Sequence, residues 1–110
     1  MPSLTDYQKQ IDDFLEKENY DPKYWSPTEI VTNLVEELGE VATLINRLHG
    51  PKSPKPGDTD TELQHELGDM LFALATLANS LELNLDEAIQ YAIHKAQTRD
   101  LDRFPRKSEK

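Results

Sequence analysis

Prolines divide this chain into segments that are free to be helical. Seven prolines stand among 110 residues, at positions 2, 22, 27, 51, 54, 56 and 105, and they leave three long stretches without any. The polar residues that favour helix N-termini precede the candidate helices, at Ser3, Ser26, Thr59 and Asn84. No segment alternates polar and apolar residues as a half-buried strand does. The pattern predicts an all-α fold with helices over about residues 3–19, 27–48, 59–81 and 85–99.

The segment 50–57 (GPKSPKPG) is the clearest linker. It is long enough to reverse the chain direction, so the two longest helices should be antiparallel neighbours in a four-helix-bundle-like domain. Ser26 and Thr59 are each followed three residues later by glutamate, which predicts a capping box at the start of both helices. The length fits one domain over residues 1–110.

Composition excludes several classes of function. The chain has no cysteine, which removes disulfides, thiolate metal sites and thiol nucleophiles. A net charge of −9 disfavours a binder of nucleic-acid polymers, because phosphate backbones are held by basic surfaces. No apolar run is long enough to span a bilayer and no export leader is recognisable, so we expect a cytoplasmic protein without membrane partners.

A short motif occurs twice, once in each long helix. Residues 34–41 (LVEELGEV) and 63–70 (LQHELGDM) both read L-x-x-E-L-G-acid-apolar. At 100° per residue, Glu37 and Glu40 lie at the border of one apolar face, and Glu66 and Asp69 lie at the matching border of the other. Glu36 points away from the first face. Two carboxylates per helix therefore face a shared region between antiparallel neighbours.

The same helical wheels predict which residues are buried. The expected stripes consist of Leu34, Leu38, Val41, Ile45 and Leu48 on the second helix, Leu67, Met70, Leu74, Leu77 and Leu81 on the third, and Ala88, Ile89, Ala92 and Ala96 on the fourth. The repeat also carries a glycine at each matching position, Gly39 and Gly68, where helix interiors disfavour it. These glycines predict a close approach of backbones or room for a ligand.

Converging carboxylates repel one another and lose hydration, so they need raised pKa values or a bound cation. An all-oxygen donor set suits Mg²⁺, with Mn²⁺ as a substitute. A di-iron centre is the weaker interpretation because it uses Glu-x-x-His, whereas His65 directly precedes Glu66 and projects away from the acids. The remaining alternative is that these acids are ordinary solvated residues on helix surfaces.

The two acid pairs resemble a known family. Glu36-Glu37-x-x-Glu40, 25 intervening residues and then Glu66-x-x-Asp69 are similar to the E-E-x₂-E…E-x₂-D signature of MazG-type all-α nucleotide pyrophosphohydrolases. The resemblance extends from about residue 24 to the end of the chain. It includes residues 77–79 (LAN) and the tail 95–104 (KAQTRDLDRF), which ends on Phe104.

The resemblance implies hydrolysis of a nucleoside triphosphate to the monophosphate and pyrophosphate, with a possible role in cleansing the nucleotide pool. It implies Mg²⁺ bound by Glu37, Glu40, Glu66 and Asp69. Glu36 would support these ligands or orient water, which makes Glu36 and Glu37 the candidate catalytic acids. The family forms dimers or dimers of dimers, so we expect a homodimer or homotetramer.

Basic residues near the C-terminus are candidates for binding phosphate. Half of the basic side chains lie in the last sixteen positions. Lys95 and Arg99 stand one turn apart at the edge of the fourth helix's apolar face, with Arg103 following, although cations also favour a helix C-terminus without binding anything.

Recognition of the nucleotide's base or sugar is less defined. Trp25, Asn46 and Asn79 are candidates, and Trp25 is equally suited to anchoring a core. The competing hypothesis for the whole chain is a non-catalytic helical interaction module stabilised by metal. Leu71 and Phe72 lie outside the expected stripe of the third helix and would suit contact with a second subunit.

Overall fold

The computed structural model describes residues 1–103 and 105–107 and is helical throughout its regular structure. The four helices are α1 (Leu4–Lys17), α2 (Pro27–His49), α3 (Asp60–Ser80) and α4 (Leu85–Thr98). The all-α prediction is confirmed, and each predicted helix end lies within two residues of the observed one. Phe104, part of the predicted tail motif, lies outside the described residues.

The helix starts follow the capping signals in the sequence. Ser26 Oγ accepts a hydrogen bond from the Glu29 backbone N–H at 3.3 Å, while the Glu29 carboxylate accepts one from the Ser26 N–H at 3.1 Å. Ser3 opens α1 with the same reciprocal pair. The side chains of Thr59 and Asn84 each accept a hydrogen bond from the backbone N–H three residues later, without the reciprocal bond from a glutamate side chain to the cap. The capping box expected at Thr59 is therefore half formed. Each cap pairs N–H groups that the helix leaves without partners.

The helices pack around α3, which contacts α2 along most of its length and α1 on its other side. Helix α4 packs mainly against α1. The end of α2 meets the start of α3 through a bidentate ion pair, with Arg47 Nε 2.6 Å and Nη2 3.2 Å from the Asp58 carboxylate oxygens. The predicted antiparallel arrangement of α2 and α3 is therefore confirmed.

The buried face of α2 differs from the predicted leucine stripe. Val41 is buried as expected, but Leu38 is 55% exposed and Ile45 41% exposed, while Ile30 and Leu44 are both 3% exposed. The observed face is rotated by roughly 50° around the helix from the predicted one. This rotation turns Glu37 into the contact between α2 and α3. The prediction was wrong because it followed the most apolar stripe, and that stripe is not the one that packs on α3.

Helix α3 shows the same departure. Its buried residues are Ala73, Ala75 and Ala78, whereas Leu67 and Leu74 are exposed. Small side chains allow α3 to lie close to two neighbours at once, which the wheel for a single face did not anticipate. No residue of α4 is buried, so the stripe predicted around Ile89 is also wrong within the described chain. A large apolar surface therefore remains on the outside.

The two repeat glycines stand in open positions. A Cβ atom added at Gly39 or Gly68 would meet no heavy atom within 4 Å. The expected close backbone approach is therefore absent from the described part of the chain, and the space beside both glycines is available. No helix among residues 1–103 and 105–107 is long and apolar enough to cross a membrane.

Replacing Gly68 by alanine should stabilise the protein. The added methyl group meets nothing, and alanine favours a helix interior over glycine by about 1 kcal/mol. Urea denaturation should show the free energy of unfolding rising by about that amount. Gly57→Ala is the matched control, since Gly57 has a φ of 93° that alanine adopts only with strain, and it should be less stable than the wild type. A loss of stability in Gly68→Ala would contradict the conclusion that the space beside Gly68 is open.

Candidate metal centre and its two cavities

Three of the four predicted carboxylate ligands come together between α2 and α3. Glu37, Glu40 and Glu66 each offer an oxygen atom, and these three oxygens lie within 4.8 Å of one another. We call these residues the carboxylate triad. Asp69 is not part of the triad, but it lines the same cavity as Glu37. Glu36 is exposed and is not part of the triad, but it lines a second cavity together with Glu40 and Glu66.

Two oxygens of the triad are buried without a partner. Oε2 of Glu37 and Oε2 of Glu66 make no hydrogen bond within the part of the chain that is described. Partial burial, followed by the nearby charges of Glu40 and Asp69, raises the pKa of Glu37 above its usual value. The pKa of Glu66 is likewise raised, first by partial burial and then by Glu40.

This donor set fits a hard divalent cation. Oxygen atoms from three carboxylates are the ligands that Mg²⁺ and Mn²⁺ accept. A cation would supply the partner that both orphaned oxygens lack, and its charge would reverse the repulsion that raises their pKa values. The chain positions the oxygens by placing Glu37 and Glu40 one turn apart on α2, opposite Glu66 on α3.

A cavity of about 560 Å³ opens beside the triad, between α2, α3 and the segment that joins α1 to α2. We call it the aromatic cavity because Tyr20, Tyr24, Trp25 and Phe72 line it. The Glu37 and Asp69 carboxylates belong to the same wall. Aromatic rings beside paired carboxylates suit a ligand with one planar end and one end that binds metal.

A second cavity, of about 610 Å³, lies toward the opposite end of α2. We call it the acidic cavity because five carboxylate residues line it, namely Glu36, Glu40, Asp58, Glu62 and Glu66. Its one basic residue, Arg47, is already paired with Asp58, whose side chain is only 9% exposed. The triad thus separates an aromatic cavity from an acidic one.

Comparison with known protein families provides independent evidence about the class of this protein. A family model for the MazG nucleotide pyrophosphohydrolase domain matches residues 25–104. The chain belongs to the MazG nucleotide pyrophosphohydrolase family. This confirms the resemblance found in the carboxylate motifs, and it identifies the chain as an enzyme of that class rather than a non-catalytic interaction module.

Individual MazG-related proteins agree in sequence and structure. The chain is 39% identical over 107 residues to YpjD of Bacillus subtilis (strain 168), across 97% of this chain and 95% of that protein. The crystal structure of YPJD from Bacillus subtilis matches with a TM-score of 0.80 at 36% identity, covering 89% of this chain and 98% of that one. The Bacillus-conserved MazG protein, a nucleotide pyrophosphohydrolase, matches with a TM-score of 0.75 at 31% identity, covering 93% and 97%.

The MazG chain holds one wall of the aromatic cavity with a polar network that the sequence did not reveal. The Tyr24 hydroxyl donates a hydrogen bond to Asp12 and accepts one from Asn79 Nδ2 at 3.1 Å. Burial, and then the bond to Asp12, raise the pKa of Tyr24 to about 12. Gln8 is buried and donates to Asn79 Oδ1 at 3.0 Å. This network fixes the segment before α2, and with it Trp25, against α1 and α3.

The predicted base and sugar contacts occupy different settings. Trp25 lines the aromatic cavity and is 57% exposed. Asn79 belongs to the network around Tyr24, and its amide also donates to the Gln8 carbonyl at 2.9 Å. Asn46 is exposed and donates to the Ala42 carbonyl at 2.8 Å, one turn back on the same helix. Of these three residues, Trp25 is the one beside the carboxylates.

The predicted phosphate-binding residues lie apart from the triad in this MazG chain. Lys95 is half-buried, Arg99 donates to the Tyr91 hydroxyl at 3.4 Å, and Arg103 Nη1 lies 4.0 Å from the Asp100 carboxylate. None of these three residues is among those that line the aromatic or the acidic cavity. Their binding of phosphate stays a prediction.

The Arg47–Asp58 ion pair is the second feature that the sequence did not reveal. The Asp58 carboxylate also accepts the Lys55 backbone N–H at 2.8 Å, so one side chain joins α2, the linker and the start of α3. The hydrogen bonds from Arg47 and then from Lys55 lower the pKa of Asp58. Eleven positions separate the partners, far more than the three or four that separate neighbouring side chains on a helix, so no local pattern in the sequence indicates the pair.

Asp58→Asn should destabilise the protein in a manner that depends on pH. A depressed folded-state pKa adds stability above the unfolded pKa of about 3.9, and that stability is lost as the pH falls through the folded value. Urea denaturation at pH 7 should therefore separate variant from wild type, and the difference should shrink below pH 4. Asp13→Asn, which breaks an exposed pair with Lys9, should change little at either pH. A difference for Asp58→Asn that is independent of pH would contradict this assignment.

Proposed function

We propose that this chain hydrolyses nucleoside or deoxynucleoside triphosphates between the α- and β-phosphates, releasing the monophosphate and pyrophosphate, with Mg²⁺ as cofactor and Mn²⁺ as a substitute. The observation that carries the proposal is the carboxylate triad, which has two orphaned oxygens and whose Glu37 lines a cavity of aromatic rings. The membership of the MazG family supports the same chemistry. A cytoplasmic enzyme of this kind would suit the cleansing of the nucleotide pool.

Glu37, Glu40 and Glu66 would hold the cation, with Asp69 completing the set from the next turn of α3. When bound, Mg²⁺ neutralises phosphate oxygens and acidifies water. Glu36 faces the acidic cavity, where it is available to orient water behind the ligands. The aromatic cavity would take the nucleoside, since Glu37 and Asp69 stand in its wall and its other residues are largely aromatic or apolar.

The chain's own residues determine the direction of the substrate. An acidic cavity repels the bare phosphates, whereas stacking on Trp25 or Phe72 suits the base. The nucleoside therefore occupies the aromatic cavity, and its α-phosphate reaches the triad. A water oxygen forms the new bond to the α-phosphorus and releases its proton to solvent, the bond from that phosphorus to the bridging oxygen breaks, and pyrophosphate leaves with its electron pair.

The enzyme should release pyrophosphate from at least one common triphosphate only when Mg²⁺ or Mn²⁺ is present. Glu37→Gln and Glu66→Gln each remove a charged ligand, so each should reduce kcat/KM by about a hundredfold or more. The measurement follows pyrophosphate and monophosphate from a panel of ribo- and deoxyribonucleotides, with and without EDTA.

Glu18→Gln is the matched control, because Glu18 is exposed at the end of α1 and lines neither cavity. It should retain wild-type activity. The proposal fails if no triphosphate is turned over, or if the two ligand variants remain as active as this control. Melting curves provide a second readout, since Mg²⁺ should raise the Tm of the wild type and of Glu18→Gln but not of Glu37→Gln.

We also propose that two or four copies assemble in solution. Leucines are exposed on both α2 and α3, and exposed apolar side chains on neighbouring helices are typical of an interface. The radius of gyration is 17.6 Å, against about 13 Å for a compact chain of this length. A second copy covering this surface is also the means by which Lys95, Arg99 and Arg103 of one chain could approach the triad of another.

Light scattering at micromolar concentration should give a mass of two or four chains. Leu71→Glu places a charge on an exposed apolar position of α3, and we expect it to lower the measured mass toward one chain, because an uncompensated charge disfavours burial. Tyr7→Glu puts the same charge on exposed α1 and should leave the assembly intact. A monomeric wild type would refute the assembly.

A further inference from the structure

Besides its carboxylates, the aromatic cavity contains one side-chain amide, that of Asn33. Asn33 lies on α2 one turn before Glu37 and lines the aromatic cavity. It also lines an adjoining shallow cavity of about 400 Å³ that it shares with Trp25. The Asn33 amide makes no hydrogen bond to any other described residue, although the side chain is only partly exposed.

Two other asparagines near the long helices behave differently. The Asn79 amide is bonded to Gln8 and Tyr24, and the Asn46 amide to the Ala42 carbonyl. Those two amides make hydrogen bonds within the protein. Asn33 keeps two donors and one carbonyl acceptor available, and it lines the same cavity as Trp25.

The position of Asn33 along α2 indicates which part of a ligand it would meet. Passing along the helix, Asn33 comes first, then Glu37 and Glu40 of the triad, and finally Arg47 in the acidic cavity. Asn33 is therefore on the aromatic side of the carboxylates. A group at this end meets the nucleoside and not the pyrophosphate.

We propose that Asn33 is a specificity-determining residue that hydrogen-bonds to the edge of the nucleobase. This inference rests on the proposed function and adds to it the residue that selects the base. A carboxamide presents a donor and an acceptor side by side, which matches the adjacent groups on a base edge. The neighbouring aromatic rings would stack on the faces of the base, and the Asn33 amide would hydrogen-bond to its edge.

The test compares kcat/KM for CTP and UTP, and for ATP and GTP, in the wild type and in two variants. Within each pair the bases exchange an amino group for a keto group, so their edges differ where an amide would bind. Asn33→Ala should reduce kcat/KM for the preferred base about tenfold or more and bring each ratio toward one. Asn33→Asp, whose carboxylate only accepts, should shift both ratios toward CTP and ATP.

Gln64→Ala is the matched control because it removes an exposed amide from α3 that lines neither cavity. It should leave every ratio unchanged. An equal loss for all four nucleotides in the Asn33 variants would overturn the proposal, since it would indicate a structural role. With dCTP and dATP added to the panel, a changed preference between ribose and deoxyribose with unchanged base ratios would overturn it as well.

Failure of the proposed function is distinguishable from failure of this inference. If the wild type turns over none of the four triphosphates, the hydrolase proposal fails. Calorimetric binding of CMP, UMP, AMP and GMP then makes the same comparison of ratios without catalysis. Base preference that survives Asn33→Ala in either assay overturns the role of Asn33, whereas its loss with melting behaviour unchanged supports it.

Discussion

The carboxylate triad imposes the strongest physical demand on this fold. Three acids approach one another in the contact between α2 and α3, and two of their oxygens are buried without a hydrogen-bond partner in the described structure. Such an arrangement persists only if the two helices are held together by other interactions. Reciprocal caps fix where α2 begins, and the Arg47–Asp58 pair fixes where α3 begins relative to the end of α2. The fold thus holds mutually repelling carboxylates together, and a bound cation would remove that repulsion.

The parts of the structure that the sequence predicted are those with local causes. Helix starts depend on a cap and its residue three positions later, and both are visible in the chain at Ser3 and Ser26. The acid pairs were visible because a repeat placed them at the same offset in both helices. Glu36 could be set apart from Glu37 because one residue turns the side chain by about 100°. These conclusions need no knowledge of what lies beyond the helix itself.

The parts that sequence reasoning missed depend on partners distant in the chain. The face of α2 that packs on α3 includes Glu37 and excludes Leu38, since small alanines on α3 permit a close approach that a leucine stripe would not. The Tyr24–Asn79 bond joins residues 55 positions apart, so neither residue differs in the sequence from an ordinary tyrosine or asparagine. Asn33 was overlooked for the same reason, because being unpartnered is a property of the folded neighbourhood.

The ion pair between Arg47 and Asp58 has a consequence for how sequences of this kind diverge. It joins the two helix ends directly, so the register of α2 on α3 does not depend on the length of the proline-containing segment between them. That segment can lengthen or shorten while the triad keeps its geometry. We therefore expect a variant of this chain with a longer or shorter linker to keep the triad intact as long as Arg47 and Asp58 are retained.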